Sequence, residues 1–215
     1  MTFVEYLQYY HQDLLVHGLG HLQVVLISMA LGTVIGIALG VGLYRRPTLG
    51  GGITRLTGLI LTIPSLALYA LLVGVVGLGQ PPVIVALTLY SLLPIVRNTI
   101  TGLRGVDPAI VESATGMGMS RWSRLFRVEL PLAMPVIVTG VRVSTMIIVG
   151  IATLGAVVSG PGFGVLILDG LRRVGSPVAI HEAVAGTLGV VVLSLLLDAT
   201  FVLVNRLTTS RGLRV

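Results

Sequence analysis

The stretch VESATGMGMSRWSRLFRVELP, residues 111–131, interrupts a chain that is otherwise almost entirely aliphatic. It carries three arginines, two glutamates and the single tryptophan of the 215 residues, Trp122. Only 10% of the whole chain is charged and its mean hydropathy is +1.01, whereas soluble domains have about 25% charged residues. The composition therefore indicates a membrane protein, in which residues 111–131 are a polar segment outside the bilayer.

Five apolar runs around this segment are long enough to cross a bilayer, for which a helix needs about 20 residues. Pro64 interrupts the second run and Pro94 interrupts the third, which predicts bends at those positions. We therefore expect an all-α membrane protein with one transmembrane domain over residues 19–207. The five predicted spans cover residues 19–44, 56–78, 82–100, 131–158 and 180–207.

The first 18 residues contain neither lysine nor arginine and have no clean apolar core. They therefore lack the pattern of a cleaved signal peptide. Aromatic side chains at Phe3, Tyr6, Tyr9 and Tyr10 favour a short helix lying at the level of the lipid headgroups. We expect residues 1–18 to form an interfacial segment.

The arginines predict how the chain is oriented. All 14 basic residues are arginines, and 11 of them lie in the last turn of the first, third or fifth span or after it. Two follow the fourth span, and Arg142 lies within it. Because basic residues are retained in the cytoplasm, we expect the N-terminus outside and residues 104–131 and the tail 208–215 inside. Topology then accounts for the positive charge, so no nucleic-acid partner is expected.

Residues 104–131 have the sequence signals of two short helices. Asp107 and Pro108 are typical of an N-cap and of the first helical position. Gly116 and Gly118 predict a break after two turns, and Pro131 predicts the end of the second helix. Three- and four-residue spacing predicts one shared face in that second helix, formed by Trp122, Leu125, Phe126 and Glu129. This helix could lie on the inner leaflet or dock into a groove on a soluble partner.

A sequence motif extends over both of these predicted helices. Glu112, Ser113 and Ala114 are followed, six residues after the glutamate, by Gly118 and then, after nine intervening residues, by V-E-L-P at residues 128–131. This resembles the EAA motif of ATP-binding cassette importer permeases, with Ser113 where alanine is usual. The resemblance implies that the segment is a coupling helix that inserts into an ATP-binding subunit. The residues expected to carry this role are Glu112, Ser113, Ala114, Gly118, Met119, Trp122, Leu125, Leu130 and Pro131.

Further runs extend the resemblance over residues 62–164. TIPSLALYALL, VELPLAMPVIVTGVR and GIATLGAVVSGPGFG are similar to the branch of these permeases that imports glycine betaine, carnitine or choline. The similarity implies a type I importer permease in the plasma membrane of a prokaryote. It also implies two ATP-binding subunits, a second permease subunit (the same chain or a paralogue) and an external substrate-binding protein.

The ATP chemistry is expected to belong to a partner chain. A Walker A loop needs a lysine, and this sequence has none. The resemblance therefore implies no catalytic residue, no metal and no cofactor in this chain, with ATP and magnesium used by the partner. An intramembrane enzyme is an alternative, but it would need several converging catalytic residues in the spans. A type I permease for another small solute, such as an amino acid, is the second alternative.

Polar residues inside the spans are candidates for function because burying them in lipid is costly. Arg142 and Asp198 are expected to form an ion pair between the fourth and fifth spans, with a substrate role as the alternative. Five uncharged residues could line the solute pathway or, alternatively, bond to neighbouring helices. These are Thr62, Ser65, Tyr69, Tyr90 and Asn98.

Small residues predict where helices approach closely. Gly32, Gly36 and Gly40 recur at four-residue spacing, a pattern of close helix contact, and packing within the chain is its expected use. Glycines in residues 160–164 predict a turn and a short helix between the last two spans. The charged residues that follow, Asp169, Arg172 and Arg173, could contact the binding protein, form a lid over the exit or face solvent.

Overall fold

The computed structural model describes residues 1–208, and within that range the chain is helical with short connections and no strand. A π turn (Leu125–Glu129) and a 3-10 turn (Thr153–Val158) flank one of the long helices. The α-helices are α1 (Phe3–Tyr9), α2 (His11–Leu43), α3 (Pro47–Thr62), α4 (Ser65–Val76), α5 (Gln80–Arg104), α6 (Pro108–Gly116), α7 (Arg121–Arg124), α8 (Leu130–Ala152), α9 (Gly164–Arg172) and α10 (Ala179–Thr208).

Four helices are long and apolar enough to cross a membrane, and the predicted first, third, fourth and fifth spans coincide with them. They are α2, α5, α10 and the continuous helix Arg121–Val158, which contains α7, the π turn, α8 and the 3-10 turn. A short helix, α9, follows the glycines of residues 160–164, as expected. Most of the predicted tail, residues 209–215, lies outside the described residues.

The second predicted span is not one helix. α3 and α4 meet at 97°, so the bend predicted at Pro64 is confirmed, and the second predicted span is a bent pair of helices. Pro64 excludes the helical conformation from the residue before it, and Ile63 is extended, with φ −65° and ψ 128°. Pro94, in contrast, does not interrupt its span, because α5 continues through it. Packing against neighbouring helices holds α5, in which both Pro94 and most of the residues around it are buried.

The N-terminal boundary also differs from the prediction at residue 18. A capping box begins α1, in which the Thr2 hydroxyl accepts from the Glu5 N–H and the Glu5 carboxylate accepts from the Thr2 N–H. Tyr10 alone separates α1 from α2, which begins at His11. The interfacial segment is therefore one short helix, and the first long helix starts eight residues earlier than expected.

The glycines of α2 pack against α5, which confirms the expected intrachain contact. A Cβ added at Gly36 would lie 2.7 Å from Ile95 Cγ2, and one added at Gly40 would lie 2.5 Å from Thr99 Cβ. Real Cβ atoms do not approach other atoms so closely. Glycine at these positions therefore sets the distance between the two helices.

Gly40→Ala is expected to lower the thermal stability of the purified chain. The added methyl group overpacks a buried contact with Thr99, a change that costs about 1–3 kcal/mol. Gly42 is the matched control, since it lies in the same helix with no atom within 4 Å of an added Cβ. Gly42→Ala should be neutral or slightly stabilising. Equal melting temperatures of the two variants in detergent would contradict the packing argument.

Candidate functional site

The polar segment folds into a helical elbow, defined here as residues 107–129. The Asp107 carboxylate accepts from the Ala109 N–H at 2.8 Å and begins α6, with Pro108 as its first residue. α6 ends at Gly116, and Gly118 turns the chain with φ +80°, a value that favours glycine. Ser120 then caps α7. The cap at Asp107, the first helical position at Pro108 and the break at Gly116 and Gly118 were predicted correctly, whereas the cap at Ser120 was not predicted.

The second helix of the elbow does not end at Pro131, contrary to the prediction. It continues through the π turn into α8, so that residues 121–158 form one helix. The Leu130 N–H bonds to the Leu125 carbonyl, five residues back. Proline has no N–H and clashes with the carbonyl four residues back in a regular helix. The wider turn immediately before Pro131 relieves both constraints.

The outer face of the elbow is apolar. Trp122 and Phe126 are 66% and 62% exposed, and their rings stack with centroids 6.2 Å apart. Met117, in the turn between α6 and α7, is a further exposed apolar side chain of the elbow, 75% exposed. Glu112 and Arg121 are exposed as well. Exposed aromatic residues with a charged surround are typical of protein–protein contacts.

The inner face of the elbow is buried against the spans. Leu125 is 4% exposed and packs in a cluster of residues from α2, α5 and α8. Glu129 is 2% exposed. The prediction that Leu125 and Glu129 share a face with Trp122 and Phe126 is therefore wrong, because the π turn changes the helical periodicity at this point.

Glu129 is the centre of a polar cluster that the sequence reasoning missed. Its carboxylate accepts from the Tyr44 hydroxyl at 2.6 Å, from Arg45 at 2.9 Å and from Arg124 at 2.9 Å. Burial alone would raise the pKa of Glu129, which precedes α8. The hydrogen bonds from Tyr44 and Arg124, with the two arginine charges, hold that pKa below its usual range. A buried carboxylate stays ionised when it is paired in this way.

The predicted coupling residues occupy three different environments. Ala114 and Leu125 are buried, so they support the elbow from within. Met119 and Leu130 are half-buried. The others are exposed, namely Glu112, Ser113, Gly118, Trp122 and Pro131. Only this exposed group can contact a partner in the described conformation.

Arg142 and Asp198 lie together between α8 and α10. Two parallel hydrogen bonds join them, from Arg142 Nε to Asp198 Oδ1 at 2.6 Å and from Arg142 Nη2 to Asp198 Oδ2 at 2.7 Å. The two side chains are 41% and 33% exposed. The pair is therefore at the surface of the single chain, in the part that would lie within the membrane.

Two of the five predicted pathway residues, Tyr69 and Tyr90, belong to one buried core cluster. Tyr69 and Tyr90 are fully buried, and their hydroxyls donate to the carbonyls of Ile151 and Ile63 at 3.2 and 2.8 Å. Both rings are therefore part of the core and cannot line an open pathway in this conformation. The remaining three are exposed or half-buried, namely Thr62, Ser65 and Asn98.

Comparison with known sequences gives matches over most of the chain. The family described as binding-protein-dependent transport system inner membrane component matches residues 32–210. The chain is 38% identical over 211 residues to the choline transport system permease protein OpuBB of Bacillus subtilis, an alignment that covers 98% of this chain and 95% of that protein.

Two further relatives cover similar shares. Identity is 38% over 194 residues to the glycine betaine/carnitine/choline transport system permease protein OpuCB of Bacillus subtilis, covering 90% of this chain and 88% of that protein. The chain is also 37% identical over 199 residues to the osmoprotectant import permease protein OsmW of Salmonella typhimurium, an alignment that covers 90% of this chain and 91% of that protein.

A solved structure has the same fold. A chain of the inward-facing MetNI methionine ABC transporter superimposes with a TM-score of 0.78, covering 92% of this chain and 97% of that chain at 23% identity.

Proposed function

Since the chain belongs to the family of binding-protein-dependent transport system inner membrane components, we propose that it is the permease subunit of an osmoprotectant importer. The solutes are quaternary amines such as glycine betaine, carnitine or choline. The single observation that carries this proposal is the 38% identity to a choline permease over 98% of the chain. The fold is that of a type I importer permease, a multi-pass membrane protein, so the activity is transport rather than catalysis.

The elbow is the surface on which ATP-binding subunits would act. Trp122 and Phe126 present an exposed apolar pair that a cleft in such a subunit could bury. ATP and magnesium would be used by that subunit. Because α7 continues into α8 without a break, displacement of the elbow would pass directly to the fourth span. The predicted cytoplasmic orientation places the elbow where ATP is available.

The exposed ion pair supports a second permease subunit. Charged side chains at membrane depth face a protein interior or a water-filled cavity rather than lipid. Arg142 and Asp198 are each at least a third exposed in the single chain. We infer that a second copy or a paralogue, or the water-filled pathway between the two, covers this face.

A methionine or other amino-acid solute is the alternative. It is suggested by the MetNI structure, but at 23% identity that likeness concerns the fold alone. The relatives with 37–38% identity over about nine-tenths of the chain or more carry osmoprotectant or choline names. These sequences favour a quaternary amine over an amino acid.

Affinity purification of the tagged chain from its native membrane tests this proposal. An ATP-binding subunit and an external binding protein should co-purify with it. Labelled glycine betaine, carnitine and choline should be tested against the recovered binding protein, with methionine as the control solute. Recovery without any ATP-binding subunit, or binding of methionine alone, would contradict the proposal.

A further inference from the structure

An ion pair spans the π turn. Arg124 Nε donates to Glu129 Oε1 at 2.9 Å, although the two residues are five positions apart. In a regular α-helix, side chains five positions apart lie about 140° apart around the axis. In the π turn, where the Leu130 N–H reaches the Leu125 carbonyl, residues five positions apart lie nearly above one another. The contact therefore requires the π turn, and it stabilises that turn relative to an α-helical one.

The same carboxylate is bonded to the end of the first span. The Tyr44 hydroxyl and the Arg45 guanidinium both donate to Glu129, and both residues directly follow α2. Arg104, at the end of α5, donates to the Tyr44 carbonyl at 2.7 Å. The carboxylate thus joins the start of the fourth span to the end of the first, with the third span attached through Tyr44.

Arg124 extends this cluster to the other half of the elbow. Its Nη1 donates to the hydroxyl of Thr115, which lies in α6. The Arg124 side chain is 12% exposed and the Glu129 side chain 3%. Both halves of the elbow are therefore connected to one buried carboxylate, on the side opposite Trp122 and Phe126.

We propose that Glu129 is a positioning residue for energy coupling. It holds the π turn in place and joins the elbow to the first span, so that the ends of the first and fourth spans move together when the elbow is displaced. This inference rests on the proposed function, because an ATP-binding subunit must supply the displacement. Loss of the carboxylate charge releases Arg124 and Arg45, and the elbow then moves without carrying the first span.

Glu129→Gln is expected to lower the solute transported per ATP hydrolysed about tenfold, the effect of losing charge-assisted hydrogen bonds of this kind. The measurement uses vesicles containing the permease, its ATP-binding subunit and the external binding protein. Tyr44→Phe removes one donor and should lower the ratio less. A purely structural role would reduce assembly, hydrolysis and uptake together, leaving the ratio of transport to hydrolysis unchanged.

Arg45→Gln and Arg46→Gln provide the matched comparison. Arg45 binds Glu129, whereas the neighbouring Arg46 is exposed and has no ion pair with the side chains of residues 1–203, those that the structure describes. Only Arg45→Gln should lower the amount of solute transported per ATP hydrolysed. If Glu129→Gln does not assemble, Tyr44→Phe and Arg45→Gln test whether the cluster around Glu129 is needed for coupling. An unchanged ratio in every assembled variant would overturn the proposal.

A distance measurement on the permease alone separates this inference from the proposed function. The chain contains no cysteine, so spin labels can be placed at Gly42→Cys, near the end of α2, and at Met117→Cys, in the elbow. Double electron–electron resonance should show a narrow distribution of distances between the two labels when Glu129 is present. Glu129→Gln in the same labelled chain should broaden that distribution. An unchanged distribution would overturn the inference. Absence of ATP-dependent uptake by the wild-type assembly would instead overturn the proposed function.

Discussion

Replacing Trp122 and Phe126 together with serine is expected to abolish uptake while the chain still folds and enters the membrane. The two rings are 66% and 62% exposed, so their removal leaves no cavity in the permease. Buried aromatic anchors at protein interfaces each contribute about 2 kcal/mol or more. Loss of both should therefore weaken binding of the ATP-binding subunit by about 10³-fold. The measurement is co-purification of that subunit with the tagged permease.

The control for this pair is an aromatic residue of similar exposure outside the elbow. Tyr9 is 76% exposed in α1, in the N-terminal segment predicted to be interfacial, and Tyr9→Ser should leave co-purification unchanged. Retention of the ATP-binding subunit at the wild-type level by the Trp122 and Phe126 double variant would show that the partner docks elsewhere.

Reversing the charge of Arg142 with Arg142→Glu should reduce the amount of assembled chain by at least about tenfold, since it leaves two carboxylates facing each other at membrane depth. The native pair is bidentate, so a single reversal removes two hydrogen bonds and adds repulsion. Quantitative detection of the chain in isolated membranes measures this effect.

The exchanged variant, Arg142→Glu combined with Asp198→Arg, tests whether pairing is the cause. It restores opposite charges between α8 and α10 and should recover a substantial part of the lost protein. Normal amounts of the single variant would show that the two spans do not depend on this pair. If the single variant is depleted and the exchanged variant is not restored, the geometry of the bidentate contact matters in addition to its charges.

The local features of the elbow could be read from the sequence because they depend on neighbouring residues. Asp107 caps a helix through its own side chain, and Pro108 fits the first helical position wherever such a cap occurs. Gly118 marks a positive φ angle that other residues rarely adopt. Each signal lies within a few positions of its structural effect, so no tertiary information is needed.

The burial of Glu129 could not be predicted in the same way. Tyr44 lies 85 positions away in sequence, and the ion pair with Arg124 requires a π turn that no short pattern specifies. The charged residues Arg45, Arg124 and Glu129 had been interpreted only as topology signals or as part of an amphipathic face. Their partners become identifiable only when the ends of α2 and α5 and the start of α8 are brought together.

The prolines make the same point about tertiary context. Pro64 and Pro94 both interrupt apolar runs, yet the chain bends by 97° at the first and continues as a helix through the second. The difference follows from packing, because α5 is enclosed by other helices whereas the junction of α3 and α4 is not. Sequence alone predicted a bend at both.

The continuous helix from Arg121 to Val158 also relates the displacements of its two ends to each other. A rod of 38 residues is about 57 Å long, so pivoting by about 10° around its midpoint would sweep each tip through about 5 Å. A small displacement imposed at the elbow end would then reappear, reversed in direction, at the opposite end of the helix. One end of the solute pathway could therefore narrow while the other widens, and the hydrogen bonds within the helix would stay intact.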